Sequence, residues 1–437
     1  LGVSPQLGLM VNTAGLPLTA GIPVQSPQLN LAREIAFVVV RSDDSDGVRA
    51  LAFDTRDGRP RWQRKLGLAP PARPIPFGSV NLLADEDAGI YAVPDAALDS
   101  FSRSTTTAQS AWTLAPPTAE PIAPAKVCAT QDGQTLWALV AERGEKDSLR
   151  LRVRRIGSGK ADPDELVQLA DKLAGAPVPA GKGVVFPCAD GFLYRFEPGA
   201  TKLLQGPMWR GEGVPASEPC HVSSFSNDEF LATDGGGRVT RWKWTTATDW
   251  KAVAGPWILR ERIPFAPLLV SIGANERRLF VADPAGNVWM YDGDAVGEPM
   301  RRWRTDKEDP DNSIPAGKPS TGFVVGRGPA GLVVAYSVEN RHIVAIAPAA
   351  DKPIWIARRL GAADTLGIVA HKSAFLVTDI GGGIVAYDQT TGDKLGSIRS
   401  ENADLLPRQP ATPVGNGKML MVPMLDGSVI LLPNPAE

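Results

Sequence analysis

One pattern recurs along the 437 residues and limits the fold more than any other feature of the chain. It is a Pro or Gly entry, a short apolar strand, a second strand, a glycine-bearing turn, a strand of the type xVxAYD, then a polar turn and a further strand. The clearest copies are GVRALAFDTRDGRPRW from Gly47 and GGIVAYDQTTGDKLG from Gly382. The central turns fall near Gly47, Gly89, Ser148, Gly191, Gly237, Gly286, Asn340, Gly383 and Gly427, at spacings of 42 to 59 residues. A four-stranded unit of that length cannot bury both its faces alone and must stack on copies of itself. A period in the forties is that of a β-propeller blade. The expected fold class is therefore all-β, with one propeller spanning 1–437. Nine hairpins are counted and eight blades preferred.

The turn chemistry agrees. Asp190-Gly191, Asp426-Gly427, Gly286-Asn287 and the glycine runs at Gly235–Gly237 and Gly381–Gly383 supply the positive φ that tight hairpins need. Gly (44) and Pro (39) are spread along the whole chain, which favours many short strands over long helices. The last unit stops after its third strand, at Val429 to Leu432, and Leu7 to Val11 is an apolar stretch ahead of the first unit. Residues 1–20 are thus expected to be a lead-in and a strand that completes the last blade, removing two open edges.

Ala52, Asp54, Gly58 and Trp62 stand at the spacing AxDxxxGxxxW, which resembles the repeat of the pyrroloquinoline-quinone-like (PQQ-like) propellers. Ala386, Asp388 and Gly392 fit the same pattern with Gly396 in place of the tryptophan. Ala345 and Trp355 fit it with Ala347 in place of the aspartate. The resemblance implies that the tryptophan docks between blades and that Asp and Gly shape a turn. The family includes quinoprotein dehydrogenases, the lipoprotein of the outer-membrane β-barrel assembly machinery, and non-catalytic envelope proteins. Its dehydrogenases carry vicinal cysteines, a calcium site and in some cases haem. This chain has no adjacent cysteine pair and no CxxCH, so the cofactor-free, periplasmic or otherwise extracytoplasmic members are the better match. A chain opening on Leu1 rather than Met is expected to be either a processed precursor or a trimmed piece of a longer chain.

A formal charge of -2 offers no clustered attraction for nucleic acid, and no apolar run is long enough for a membrane-spanning helix. Cys128, Cys188 and Cys220 read as small buried side chains, the alternative being a disulfide between two of them. His221, His342 and His371 are too far apart in sequence to form a local metal pair. GRGPAG at Gly326 to Gly331 matches a dinucleotide-binding spacing, but the residues after it read as a strand and not as a helix that could hold a pyrophosphate.

Asp43, Asp44 and Asp46 on one hairpin turn, with Asp306, Glu308, Asp309 and Asp311 between two units, are the candidate calcium ligands, since calcium takes clustered oxygens. Arg150, Arg152 and Arg154 form one cationic strand face, read as solvated. Met208, Trp209 and Arg210, on a loop between units, are the candidate exposed residues for a protein partner. The reading favours a protein-binding scaffold over catalysis. The alternative is a quinoprotein-like oxidoreductase or a carbohydrate-active enzyme with carboxylates at the channel mouth.

Overall fold

The computed structural model describes the strand backbones before residue 73, together with Asp54, Arg56, Asp57 and Arg59. It then describes the chain from Arg73 to Glu437 apart from 86–87, 95–111, 115–121, 124, 131–133, 145–147, 158–159, 227, 247–248, 275, 305–313, 316, 329–330, 340–341, 360–362, 400–405 and 425–428. Described strands pair antiparallel, most of them with their sequence neighbours, giving eight sheets with a four-strand path, one over 412–433 with three strands and one over 2–10 with two. The chain is an eight-bladed β-propeller, and the blades follow from side-chain packing between sheets.

Blades one to eight span 75–114, 126–168, 178–208, 222–258, 268–303, 324–358, 365–399 and 412–433. Ile90 of blade one packs with Ala138 of blade two, and Trp137 of blade two with Phe186 of blade three. Leu193 meets Phe230, and Leu231 meets Leu279, which carries the contact on to blade five. Phe280 then meets Tyr336, and Ala345 meets Phe375. Leu376 of blade seven packs with Leu420 of blade eight, and Met421 of blade eight returns to Leu83 of blade one. Alternation along each strand produces this cycle, because successive side chains point to opposite faces and each face is covered by a different neighbour. The ninth hairpin of the sequence pattern is the sheet over 21–66, and the cycle closes without it.

Residues 1–20, expected to supply the closing strand, are described only at 2–4 and 8–10. Gly2–Ser4 and Gly8–Met10 pair with each other. Among the described residues Val429–Pro433 pairs only with Met419–Pro423. Residues 11–20 lie outside the described residues.

A carboxylate recurs in the turn between second and third strands. Asp283 Oδ1 accepts from the amides of Ala285 (2.9 Å) and Asn287 (3.0 Å), and Asp379 Oδ1 from those of Gly381 (2.9 Å) and Gly383 (2.8 Å). Asp234 accepts in the same way from Gly236 and Arg238. The Asp of the sequence motif caps the next turn: Asp54 accepts from the Arg56 amide, and Asp388 from those of Thr390 and Thr391. The side chains of Ala52 and Trp62, and Gly58, lie outside the described residues.

Trp355 is buried and its Nε1 donates to the Gln389 carbonyl of the next blade at 3.0 Å. Trp303 and Trp257 repeat the arrangement on Ala350 and Ala295, each at 3.1 Å. Gly392 has φ +74°, and a Cβ there would stand 2.6 Å from the Trp355 ring, so backbone and packing both require glycine. At Gly396, which replaces a docking tryptophan, a Cβ would meet the Pro435 carbonyl at 2.2 Å. The turn of blade eight fills the space that the indole takes elsewhere.

Candidate binding surfaces

Trp257 points inward at the end of the outer strand Asp249–Ile258 of blade four, so alternation turns Ile258 outward, where it is 61% exposed. The carbonyl that holds Trp257 belongs to Ala295, and the next residue, Val296, is 59% exposed. The docking of one tryptophan thus brings together the segments that carry two exposed apolar residues from different blades, Ile258 lining a groove and Val296 two residues ahead of its lining residue Glu298. The groove, of about 640 Å³, is lined by Ile258, Trp289, Tyr291, Pro299, Arg302 and Arg304 among others. Trp289 on Val288–Asp292 lies across from Arg302 on the outer strand Arg301–Trp303. The Arg302 and Arg304 guanidinium carbons are 5.3 and 5.2 Å from its ring centre, within cation–π range. Arg302 pairs with the exposed Glu298 at 2.9 Å, and exposed Met300 continues the rim. An aromatic ring between arginines, edged by Ile, Val and Met, has the composition of a protein-binding patch.

Of the three residues expected to face a partner, only Met208 is clearly exposed, at 61%. Trp209 is buried at 4%, with Nε1 donating to the Cys188 carbonyl at 3.1 Å. The loop is not free of the blade: the Trp209 amide donates to the Gly191 carbonyl at 2.8 Å and folds the indole among Val185, Leu193 and Cys220. Arg210 lies against the Trp209 ring and donates to the Ala189 carbonyl. The packing reads the triplet as one exposed methionine beside a structural pair.

The cationic strand face is also rearranged. Arg152 pairs with Glu142 at 2.8 Å and Asp164 at 3.2 Å, and Arg154 with Asp164 at 3.0 Å. Arg154 also donates to the Ala88 carbonyl of blade one. With Glu142 fully buried, these side chains form an internal ionic ladder and not a solvated face. Asp43, Asp44, Asp46, Asp306, Glu308, Asp309 and Asp311 lie outside the described residues. Among the described residues no three His, Cys, Asp or Glu side chains are grouped to hold a metal. GRGPAG is a hairpin in which Gly328 faces Gly331.

The inner strands of blades one, two, seven and eight border a channel cavity of about 710 Å³, lined by Arg73, Cys128, Thr130, His371 and Thr412 among others. Burial pushes the Cys128 thiol well above its ordinary range, so it stays protonated. Burial, with Lys372 nearby, holds the His371 imidazole below its ordinary value against the opposing effect of Glu437. None of the described lining residues is Asp or Glu.

No protein-family profile and no curated protein matches the sequence. Solved structures do. BamB from Moraxella catarrhalis aligns at a TM-score of 0.52 and 14% identity, over 82% of this chain and 95% of that one. The computationally designed Ika8 protein aligns at 0.58 and 12%, over 84% and 97%. The C-terminal WD40 domain of Sif2 aligns at 0.59 and 9%, over 85% and 99%. The shared property is the propeller fold. At these identities a natural protein, a designed one and a WD40 domain say nothing finer about the site.

Proposed function

We propose that this chain is a non-enzymatic, PQQ-like propeller that binds a protein partner through the outer surface of blades four and five. The observation that carries the reading is the groove in which Trp289 lies against two arginines and Ile258, Val296 and Met300 form an exposed apolar rim. Burying such a rim supplies affinity through apolar area, while the arginines set register through directed hydrogen bonds. Exposed Met208 on the outer edge of blade three is a second contact on the same reading. The reading includes no resident cofactor and no nucleic acid. The repeat resemblance supports a place in or outside a bacterial envelope, and calcium at the acidic loops remains compatible with it.

Photo-crosslinking tests the proposal. A benzophenone amino acid at Ile258 or Val296 is expected to give a discrete protein adduct in cells, and the same group at Lys202, on the exposed turn of blade three, is expected to give none. Adducts that are absent at Ile258 and Val296, or equal at Lys202, would overturn it.

A further inference from the structure

The channel cavity combines three features that the scaffold reading does not use. Its volume, about 710 Å³, falls in the range of small-molecule sites. Among the described lining residues Arg73 is the one permanent charge, and no ion pair or hydrogen bond holds its guanidinium. Thr412 is 4% exposed and its hydroxyl has no hydrogen-bond partner. Its cross-strand partner Met421 packs on Leu83 of blade one, so the hydroxyl is on the face of blade eight turned toward the segment that carries Arg73.

We propose that this cavity binds a small molecule bearing a carboxylate, with Arg73 and Thr412 as its ligands. A guanidinium presents a planar fork of donors that matches a carboxylate two bonds at a time, and it gains most where water is partly excluded. Arg73 is exposed, so its guanidinium can be reached by an anion from solvent. The Thr412 hydroxyl would gain the partner that it lacks, a gain that comes from relieving an existing cost. Glu437 reaches the lining residue His371 at 3.6 Å and is matched to Lys372. That leaves Arg73 as the free cation among the described lining residues.

Isothermal titration of the full chain with citrate, and separately with inorganic phosphate, tests the site. Citrate is expected to bind saturably at one site and more tightly than phosphate. Arg73→Gln should weaken it at least about tenfold and Arg73→Lys less, since lysine keeps the charge without the fork. Thr412→Val should weaken citrate a few-fold while raising the melting temperature of the unliganded protein, because it removes an orphaned buried hydroxyl. A merely structural threonine would not give that pair of effects. Melting curves of the Arg73 variants establish that they fold. An isotherm unchanged by Arg73→Gln, phosphate bound more tightly than citrate, or no saturable heat up to about 10 mM would overturn the proposal. None of these outcomes bears on the groove of blades four and five, which is judged by crosslinking alone.

Discussion

At the scale of single residues, identical side chains do different work according to which backbone carbonyl they reach. Trp303 and Trp355 donate across a blade boundary, and Trp209 donates within its own blade, yet all three are buried. Replacing any of them by Ala should cost about 3 to 5 kcal/mol in chemical denaturation. Met208→Ala should stay within about 0.5 kcal/mol, as expected of an exposed side chain. A Trp209→Ala variant as stable as the parent would show that the indole is not part of the core. The sequence motif pointed to Trp355 through its spacing. It missed the burial of Trp209 because that depends on a bond back to Gly191 from outside the strand, which local pattern does not record. His221 carries a second prediction at this scale. Burial and then the Arg262 charge hold its imidazole below the ordinary value, and its Nε2 is buried with no hydrogen-bond partner. The unfolded chain therefore binds the proton more readily than the folded one, and stability is lost as pH falls below the unfolded value of about 6.5. The melting temperature should fall between pH 7 and 5, and His221→Gln should reduce that fall. An identical pH profile in the variant would exclude His221 as a source.

At the scale of strands and turns, the chemistry that ends an element was easier to read than the chemistry that covers it. Asp190, Asp388 and the glycine runs marked turns in the sequence, and the aspartates accept the turn amides in the structure. The alternating arginines at 150, 152 and 154 were equally visible, but their meaning was not. Glu142 reaches them from the neighbouring strand of the hairpin, and Asp164 from the segment that follows it. A cationic face with the buried Glu142 opposite it is an internal ladder, and only strand register distinguishes it from a solvated face. Register also explains the groove. Ile258 and Val296 are separated by 38 positions and meet through the bond from Trp257 to Ala295. A signal was present, since Trp257 ends its unit as Trp303 and Trp355 end theirs, but no single unit contains the groove.

At the scale of the whole molecule, the count of nine hairpins and the choice of eight blades are both accounted for. Among the described residues nine sheets have three or more strands, and eight of them form a cycle in which Met421 of the last blade packs on Leu83 of the first. Ring closure distributes stability over every interface, because each blade's apolar faces are covered only by its neighbours. It also sets what the molecule can offer a partner: outer strands, turns and the channel, with the blade faces already buried. The outer surface of blades four and five offers an aromatic ring, arginines and exposed apolar side chains together. Hydrogen–deuterium exchange on the full chain, alone and with the protein captured at Ile258, tests this most directly. The account predicts slowed exchange concentrated in 249–260 and 288–304, with the channel strands Lys126–Ala129 and Thr365–His371 unchanged. Protection confined to the channel strands, or spread evenly over all eight blades, would contradict it.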